Sequence, residues 1–264
     1  GNHWVVVGLA ICIPGTTKIY CLPIHAMLHL AGKNQKSEAT LAKEMLRDIL
    51  EWFPDRKLVF LGDGAYSTKN LLANLDPRVT YVGVMRADAA IYDPLPPKRP
   101  KSKRGRKATK GPRLPNPKEA MKKADRNRSG QGPWTWQTVK ATAYGVTRKL
   151  RVVSFQAVWP EVFGLTPILV VLVRDPRGKF RDKYLFTTDL SADAAWVIEA
   201  FSRRWSIEVV FKASKQVMKI QAPGLRYRGQ SRFFRGRLRN GNAIAGGFER
   251  EHDRALGNLV ADLD

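Results

Sequence analysis

The pattern of hydrophobic and polar positions predicts a chain that begins with strands and continues into a helix. His3 to Ile13 is a continuous apolar run, a short turn of Pro, Gly and Thr follows it, and Lys18 to His25 is a second β-rich run. Two such runs joined by a turn predict a β-hairpin. From Ser37 to Phe53 the apolar residues recur at helical spacing, which predicts a helix that Ser37 caps and Pro54 ends.

Strands and helices alternate in the next part of the chain. Lys57 to Leu61 is a short apolar run that predicts a buried strand, and Val79 to Met85 predicts another. Between them, Ser67 to Leu75 predicts a helix with Ser67 as its cap. An order of hairpin, helix, strand, helix and strand predicts a mixed α/β fold, in which strands connected by a helix pair in parallel.

A basic stretch rich in Pro and Gly interrupts this order between Ala87 and Gly132. Within it, Lys98 to Lys110 has eight basic residues in thirteen and no acidic residue, which predicts a flexible surface insertion. After it, turn signals separate four further β-rich runs, namely Trp134–Thr142, Lys149–Gln156, Ile168–Arg174 and Lys183–Thr188.

The last part of the chain predicts one long helix and then an irregular tail. Ser191 is expected to cap a helix that extends to about Met218. After Pro223 the sequence is rich in Arg and Gly, and only a short helix near its end is expected.

The charge balance is the most informative feature of the composition. Lys and Arg number 46 against 23 Asp and Glu, which leaves a net charge of +23, while 44% hydrophobic residues indicate a globular chain. A charge of this size indicates a polyanionic partner, and nucleic acid is the commonest one. A merely basic protein and a binder of anionic membrane surfaces remain as alternatives.

The cysteines and the apolar runs bear on the compartment of the protein. Cys12 and Cys21 lie in strand-like apolar runs without metal-ligand spacing, so we expect buried thiols in a reducing cytoplasm. No apolar run approaches the ~20 residues that span a bilayer, and the N-terminus has no signal-peptide pattern. We therefore expect no membrane partner.

Asp63 is the first candidate for a catalytic side chain. It directly follows the predicted strand Lys57–Leu61, and Gly62 and Gly64 on either side leave its side chain uncrowded. Ligands of open α/β sheets gather at the carboxyl ends of the strands, which favours a functional role. An aspartate that only forms the turn is the alternative.

Glu208 is the second candidate. Phe201, Arg204 and Lys215 stand seven before, four before and seven after it in the predicted long helix. At roughly 100° per residue these four positions fall within about a 60° stripe of one face. A solvated helix face with an Arg204–Glu208 ion pair is the alternative.

The same residues carry a resemblance to a known family. The stretch from Phe201 to Lys215 resembles the Tyr-Arg-Glu-Lys signature of DDE transposases from bacterial insertion sequences. Leu61 to Tyr66 is similar to the second-aspartate motif of that family, in which a buried strand ends in Asp. The resemblance covers about residues 3–220 and implies an α/β, ribonuclease-H-like catalytic core interrupted by a β-rich insertion.

The sequence departs from the family pattern at two places. Phe201 replaces the tyrosine of the signature: by the resemblance it is a candidate DNA contact that keeps the ring for stacking but lacks the hydroxyl. The first catalytic aspartate should lie on a strand before the hairpin, yet no Asp occurs before Asp48. We therefore expect an N-terminally truncated, catalytically inactive core. Its expected parts are 1–86 (first part of the core), 87–190 (basic linker and β-rich insertion), 191–222 (catalytic helix) and 223–264 (Arg-rich tail).

The resemblance also implies a chemistry and a set of partners. DDE transposases cleave and join DNA with two divalent ions, Mg²⁺ or Mn²⁺; by the resemblance Asp63 would bridge both ions and Glu208 would hold one. Arg204 and Lys215 would bind phosphates beside the cleavage site. The expected partner is double-stranded DNA, as transposon ends and target, in the bacterial cytoplasm near the nucleoid; a homodimer stays open.

Two further groups of residues are candidate DNA contacts. Lys103, Arg104, Arg106 and Lys107 form a basic run that suits either a minor-groove hook or generic phosphate contacts. Trp134 and Trp136 alternate along a predicted strand; the resemblance implies stacking on an extruded base, and core packing is the alternative.

Other classes of function are kept beside the transposase hypothesis. A non-catalytic nucleic-acid-binding protein and a ribonuclease-H-like endonuclease both suit the charge and the predicted fold. The four histidines, His3, His25, His29 and His252, are scattered along the chain and show no zinc-ligand spacing.

Overall fold

The computed structural model describes residues 3–15, 18–32, 35–94, 110–217 and 256–261. The strands are β1 (His3–Cys12), β2 (Ile19–His29), β3 (Leu58–Gly62), β4 (Val79–Val84), β5 (Gln137–Ala143), β6 (Val146–Val158), β7 (Pro167–Arg174), β8 (Lys183–Thr187) and β9 (Leu256–Ala261). The helices are α1 (Glu38–Trp52), α2 (Lys69–Leu72), α3 (Pro117–Arg126), α4 (Pro160–Phe163), α5 (Ala194–Arg203) and α6 (Trp205–Val217).

Within the described residues, nine strands form one mixed sheet in the order β2-β1-β9-β3-β4-β8-β7-β6-β5. The helix-connected strands β3 and β4 pair in parallel, as the sequence predicted, and β1 and β2 form the predicted antiparallel hairpin. The four strands of the predicted insertion continue the same sheet, because β8 pairs with β4. The α/β fold class is confirmed, and the architecture agrees with a ribonuclease-H-like fold.

Strand β9 lies between the hairpin and the rest of the sheet. It runs parallel to β1 and antiparallel to β3. The short helix expected near the end of the chain is therefore not at 256–261, and the segments on either side lie outside the described residues. Without β9, the backbone groups of β1 and β3 that face each other would lack partners. Pairing with both strands therefore favours the extended conformation of this segment over a solvated helix.

The sheet separates two hydrophobic clusters of buried residues. Phe60 and Tyr81 point to the face that α1 covers, while their neighbours Leu61 and Val82 point to the face of α5. This alternation follows from the period of two in a strand. Both faces of β3 and β4 are thus buried, which is why their sequences are continuous apolar runs.

Helix α1 agrees with its prediction. Ser37 is the N-cap and its hydroxyl accepts a hydrogen bond from the Thr40 N–H at 3.2 Å. Met45 and Ile49 are fully buried on its inner face. The helix ends at Trp52, shortly before Pro54, since a proline cannot continue the backbone hydrogen bonds.

Two predicted helix starts are wrong. Helix α2 is capped by Thr68 instead of Ser67, because the Ser67 hydroxyl donates to the Val84 carbonyl at 2.7 Å. Helix α5 follows Asp193 instead of Ser191. The Ser191 N–H and hydroxyl both donate to Asp189, which holds that serine in a turn.

The predicted long helix is also divided in two. Helix α5 ends at Arg203 and α6 begins at Trp205, with Arg204 between them in right-handed helical conformation. The Arg204 N–H bonds to the Phe201 carbonyl, a tighter turn than an α-helix makes.

The expectation of a flexible insertion from Ala87 to Gly132 is wrong for its second half, where α3 lies. Asn116 and Glu119 form a reciprocal capping box at the start of α3, with Pro117 as its first residue. This sequence signature of a helix start was visible in the chain. The basic run up to Thr109 lies outside the described residues.

Both cysteines are free, as expected, and both lie in the described hairpin. The prediction that both are buried is wrong, since Cys12 at the end of β1 is exposed and Cys21 is half-buried. Burial raises the pKa of the Cys21 thiol to about 11, against a smaller lowering by its hydrogen bond with Ser206. This thiol is therefore protonated at neutral pH.

Gly62, at the end of β3, is required by a neighbouring tyrosine. A Cβ at Gly62 would overlap the Tyr81 hydroxyl and lie 2.8 Å from its Cζ. Tyr81 is fully buried between the Phe60 and Phe186 rings, at 5.8 and 5.5 Å, so its ring has no room to move. The glycine thus serves this packing more than access to Asp63.

We expect Gly62→Ala to destabilise the protein by about 1–3 kcal/mol, the usual effect of overpacking a core. Gly64→Ala is the matched control, because a Cβ there meets no atom within 4 Å in the described structure. That control should stay within about 0.5 kcal/mol of the parent. Urea unfolding followed by circular dichroism measures both, and equal stabilities for the two variants would contradict the Tyr81 packing.

Candidate active site

Asp63 lies directly after β3, where the chain leaves the sheet. Its Oδ1 accepts a hydrogen bond from the Ala65 N–H at 2.9 Å, and its carbonyl accepts one from the Tyr66 N–H at 3.2 Å. The turn-forming role considered for this residue is therefore real. It does not exclude a second role, because Oδ2 lies outside this turn and a carboxylate oxygen can accept more than one partner.

The surroundings of Asp63 disfavour its charge. Burial raises the pKa of Asp63, and this effect exceeds the lowering by the Ala65 N–H and by the positive charge of Arg204. The negative charge of Glu38 raises the same pKa further. A carboxylate that is half-buried beside another carboxylate is one that a cation would stabilise.

The junction of α5 and α6 carries the second half of the candidate site. Phe201 is only 6% exposed and its ring belongs to the core. The Arg204 guanidinium lies over that ring, 5.6 Å from its centroid, and donates to Glu208 Oε1 at 2.9 Å. The ion pair considered as the alternative to a catalytic role is present, and the aromatic ring below it orients the arginine.

Arg204 brings the two candidate carboxylates into one electrostatic environment. It forms an ion pair with Glu208 and acts through its charge on Asp63. Helix α6 is held in this place by Ile207, which is fully buried and packs at the Gly8 position of β1. Two carboxylates and a guanidinium can together bind divalent cations and a phosphate.

Several predicted DNA contacts lie outside the described side chains. Lys215 lies within α6, but the structure describes only its backbone and not its side chain. Lys103, Arg104, Arg106 and Lys107 are outside them altogether. These residues remain predictions from the sequence.

Trp134 and Trp136 precede β5 instead of alternating along it, so that detail of the prediction is wrong. Trp134 is half-buried and meets the Phe155 ring edge-on at 4.8 Å. Trp136 donates its indole N–H to Asp125 at 3.0 Å, and Arg174 lies 5.0 Å from its ring centroid. These contacts favour the core-packing alternative.

A different set of aromatic rings is exposed beside α6. Tyr144, Phe180 and Trp205 are between 41% and 49% exposed. The Tyr144 ring lies 6.3 Å from Phe180 and 5.8 Å from Trp205, and the Arg148 guanidinium lies over Phe180 at 4.4 Å. We call these four residues the aromatic surface. Its flat rings and cation suit stacking on nucleobases.

Tyr144 has an unfavourable backbone conformation for a bulky residue. It precedes Gly145 in the two-residue turn between β5 and β6, and its φ of 55° is in the left-handed region. Such turns favour Asn, Asp or Gly at this position. A bulky residue in this conformation is uncommon, and such outliers cluster at functional sites.

The structure also joins residues that looked scattered in the sequence. His3 and His29 are partners in the β1–β2 register, and His3 Nε2 lies 2.7 Å from Glu38 Oε1. The conclusion that the histidines are scattered is therefore wrong for this pair. Hairpin register, which depends on the number of residues in the turn, brings them together.

A mixed sheet with helices on both faces and a carboxylate just beyond the end of a central strand is the arrangement of ribonuclease-H-like proteins. The family model for the transposase DDE domain matches residues 8–238, and the chain belongs to the DDE transposase family. No curated protein and no solved structure matches the chain. None of the helices in the described residues has both the length and the apolar character to cross a membrane.

We expect Asp63→Asn to raise the stability of the metal-free protein at neutral pH. Burial raises the pKa of Asp63 in the folded state, so ionisation opposes folding. That destabilisation is absent below the ordinary pKa of an aspartate and develops as the pH rises through the raised value. Thermal unfolding should give a higher midpoint for Asp63→Asn at pH 7, and the difference should disappear in acid.

Asp76→Asn is the matched control, and we expect it to change the unfolding midpoint in the opposite direction. The Arg78 side chain lowers the pKa of Asp76 by hydrogen bonding, with a further lowering from the Arg78 N–H. Its ionised form therefore stabilises the fold above the ordinary aspartate pKa, and this contribution is lost in acid. Asp76→Asn should lower the midpoint at pH 7. A midpoint that falls equally in both variants would contradict the burial of Asp63.

Proposed function

We propose that this chain binds double-stranded DNA and that Asp63 and Glu208 contribute to a divalent-ion site for phosphoryl transfer. The observation that supports this best is the position of Arg204, which pairs with Glu208 and acts electrostatically on Asp63. These residues come from a strand end and a helix more than a hundred residues apart in sequence. A purely structural ion pair on α6 would not need Asp63.

The donor set of the candidate site fits hard divalent ions. Mg²⁺ and Mn²⁺ prefer carboxylate oxygens and retain water or substrate phosphate for their other positions. The raised pKa of the half-buried Asp63 agrees with a carboxylate whose charge a cation would balance. When bound, such ions promote in-line displacement at phosphorus by stabilising the attacking and leaving oxygens.

The protein groups around the carboxylates would position the DNA. Arg204 has a planar fork of donors that suits phosphate, and the Phe201 ring below limits its movement. Glu208 holds the same guanidinium at 2.9 Å, so the arginine is oriented before DNA binds. Lys215, two turns further along α6, is proposed as a second phosphate contact.

The charge of the chain supports DNA binding on a broader surface. The net charge is +23, and the run that contains Lys103, Arg104, Arg106 and Lys107 concentrates part of it. The described residues on either side of that run are joined, because the Asp93 N–H donates to the Pro112 carbonyl at 2.9 Å. We propose that the run contacts phosphates and that the aromatic surface stacks on bases.

We expect the 264-residue chain to be inactive in nicking and strand transfer on supercoiled plasmid, with Mg²⁺ or Mn²⁺. Two-metal chemistry needs enough carboxylates to fix both ions. The strand beside β3 on the side of the hairpin is β9, and its sequence from Leu256 to Ala261 has no acidic residue. This favours DNA binding without cleavage by the chain as it stands.

Asp63→Asn and Glu208→Gln serve as controls in the same assay. Activity that both substitutions abolish would contradict the expected inactivity and would show that a third ligand exists in this chain. Glu38, whose charge acts on Asp63, is then the first residue to replace. Activity that survives both substitutions would overturn the proposed catalytic site.

DNA binding should depend steeply on salt. If six phosphates are neutralised, the logarithm of the binding constant should fall against the logarithm of salt concentration with a slope of about −5. Replacing residues 98–109 with a Gly-Ser linker should flatten that slope, because the linker removes cations. Fluorescence anisotropy with a labelled duplex measures the slope, and an unchanged slope would exclude the run from DNA contact.

Tyr144→Asn separates stacking from charge when the anisotropy measurement is repeated with labelled single-stranded or distorted DNA. Asn is favoured at this position of the turn, so the variant should fold at least as well as the parent. It should weaken binding to single-stranded or distorted DNA by about 1–3 kcal/mol at every salt concentration, with the slope unchanged. Unchanged affinity would rule out base stacking by the aromatic surface.

A further inference from the structure

Three side chains from β1, β2 and α1 converge at one end of the hairpin. The ligand atoms of His3, His29 and Glu38 all lie within 4.8 Å of one another. We propose that these residues bind a divalent transition-metal ion of the zinc type, separate from the carboxylates Asp63 and Glu208. The proposal does not depend on the catalytic activity proposed above.

The backbone fixes the three positions before any ion binds. His3 and His29 are opposite each other in the antiparallel pair β1–β2, and their rings lie 4.5 Å apart. Glu38 is the first residue of α1, which Ser37 caps. Two ligands on paired strands and one on a capped helix end form a preorganised set, which lowers the entropy lost on binding.

The distances suit a small tetrahedral ion. Bonds of about 2.0–2.1 Å in a tetrahedral zinc site place neighbouring ligand atoms about 3.3–3.4 Å apart. The contact of His3 Nε2 with Glu38 Oε1 is 2.7 Å, and all three atoms lie within 4.8 Å. Side-chain rotations that move each ligand atom by about an ångström would bring all three within bonding distance of one ion. The ion would then replace the hydrogen bond between His3 and Glu38.

His29 provides an independent reason for an ion or another polar ligand. Among the residues that the structure describes, its Nδ1 is enclosed and has no hydrogen-bond partner. An enclosed polar nitrogen without a partner is unfavourable. An ion bound at Nδ1 would remove that cost.

The donor types select the class of ion. Two imidazoles beside one carboxylate favour Zn²⁺ and similar ions over Mg²⁺, because imidazole nitrogen suits zinc-type ions whereas Mg²⁺ prefers oxygen. The side chains of His3 and Glu38 are 23% and 28% exposed. Solvent therefore reaches the cluster and can supply a fourth ligand, the pattern of three protein ligands and one water.

The cluster lies at the same end of the sheet as Asp63. Strand β1 is parallel to β9, and β9 is antiparallel to β3, so β1 begins where β3 ends. The ion would join the first residue of the hairpin to α1 and would neutralise the charge of Glu38, which acts on Asp63. Its direct effect is to attach the hairpin end to α1.

The test is metal binding by the full 264-residue chain, with Zn²⁺ and Co²⁺ as the probes. We expect about one Zn²⁺ per chain after dialysis and visible absorption from tetrahedral Co²⁺. An excess of Mg²⁺ should not displace either ion. Glu38→Gln and His29→Asn should each weaken Zn²⁺ binding by more than the roughly 10–100-fold that loss of an outer-shell partner causes.

Two control variants make each outcome decisive. His25→Gln is the matched control, because His25 is a half-buried histidine of the same strand with its own carboxylate partner, Asp48 at 3.0 Å, outside the cluster. It should retain the ion, and Asp63→Asn should retain it too. Loss of the ion in Asp63→Asn alone would assign it to the catalytic carboxylates and overturn the proposal.

Two other results would also overturn it. If the parent chain takes up neither Zn²⁺ nor Co²⁺, the cluster is only a hydrogen-bonded His–Glu pair. If Glu38→Gln and His29→Asn bind as tightly as the parent, the ion is held elsewhere. Circular dichroism of each variant checks that loss of binding does not come from unfolding, and Glu38→Gln keeps the size of the side chain for that purpose.

Discussion

The backbone pairing of β9 with β1 on one side and β3 on the other is the constraint on which the arrangement of the molecule depends. Strands β1 and β3 are both apolar and buried, so their N–H and C=O groups need partners on each side. Strand β9 pairs with both and joins the hairpin to the other strands. Because of this pairing, the start of β1 and the end of β3 lie at one end of a common sheet, where His3 and Asp63 are found.

The elements themselves were largely predictable, because their signals are local. The apolar runs of β3 and β4 and the face of α1 around Met45 and Ile49 are typical of buried strands and an amphipathic helix. Errors arose where a side chain had a competing partner. Ser67 bonds to Val84, which lies outside any local sequence window. Ser191 bonds to Asp189, which is only two residues away, so that turn was a local alternative to the helix cap.

Contacts that depend on register were not predictable in the same way. The pairing of His3 with His29 follows from the number of residues between the two strands and from the irregularity at Val7 and Gly8. A shift by one residue would turn one histidine to the opposite face. The position of β9 is a further case, since no local pattern says which strands a short apolar segment will join.

Of the candidate active site, the sequence indicated the residue types and their helical spacing, while the structure adds how each is constrained. Phe201 was expected to offer a ring for stacking, but its burial makes it a platform for Arg204. That difference could not be read from spacing, because α5 presents Phe201 to the core only when it packs on the sheet. The replacement of tyrosine by phenylalanine is compatible with this role, since a buried hydroxyl would need a partner of its own.

The two ion sites that we propose differ in the property that separates their metals. Asp63 and Glu208 offer only oxygen, and the Arg204 guanidinium is paired with Glu208; His3, His29 and Glu38 offer two nitrogens and one oxygen. Mg²⁺ favours the all-oxygen pair and zinc-type ions favour the set with two imidazoles, so one end of the sheet could hold both kinds of ion. Glu38 is the link between them, because its charge raises the pKa of Asp63. An ion that neutralises Glu38 would make it easier for Asp63 to carry a negative charge. Occupation of the His3, His29 and Glu38 cluster would then favour ionisation of Asp63, and with it the binding of a cation there.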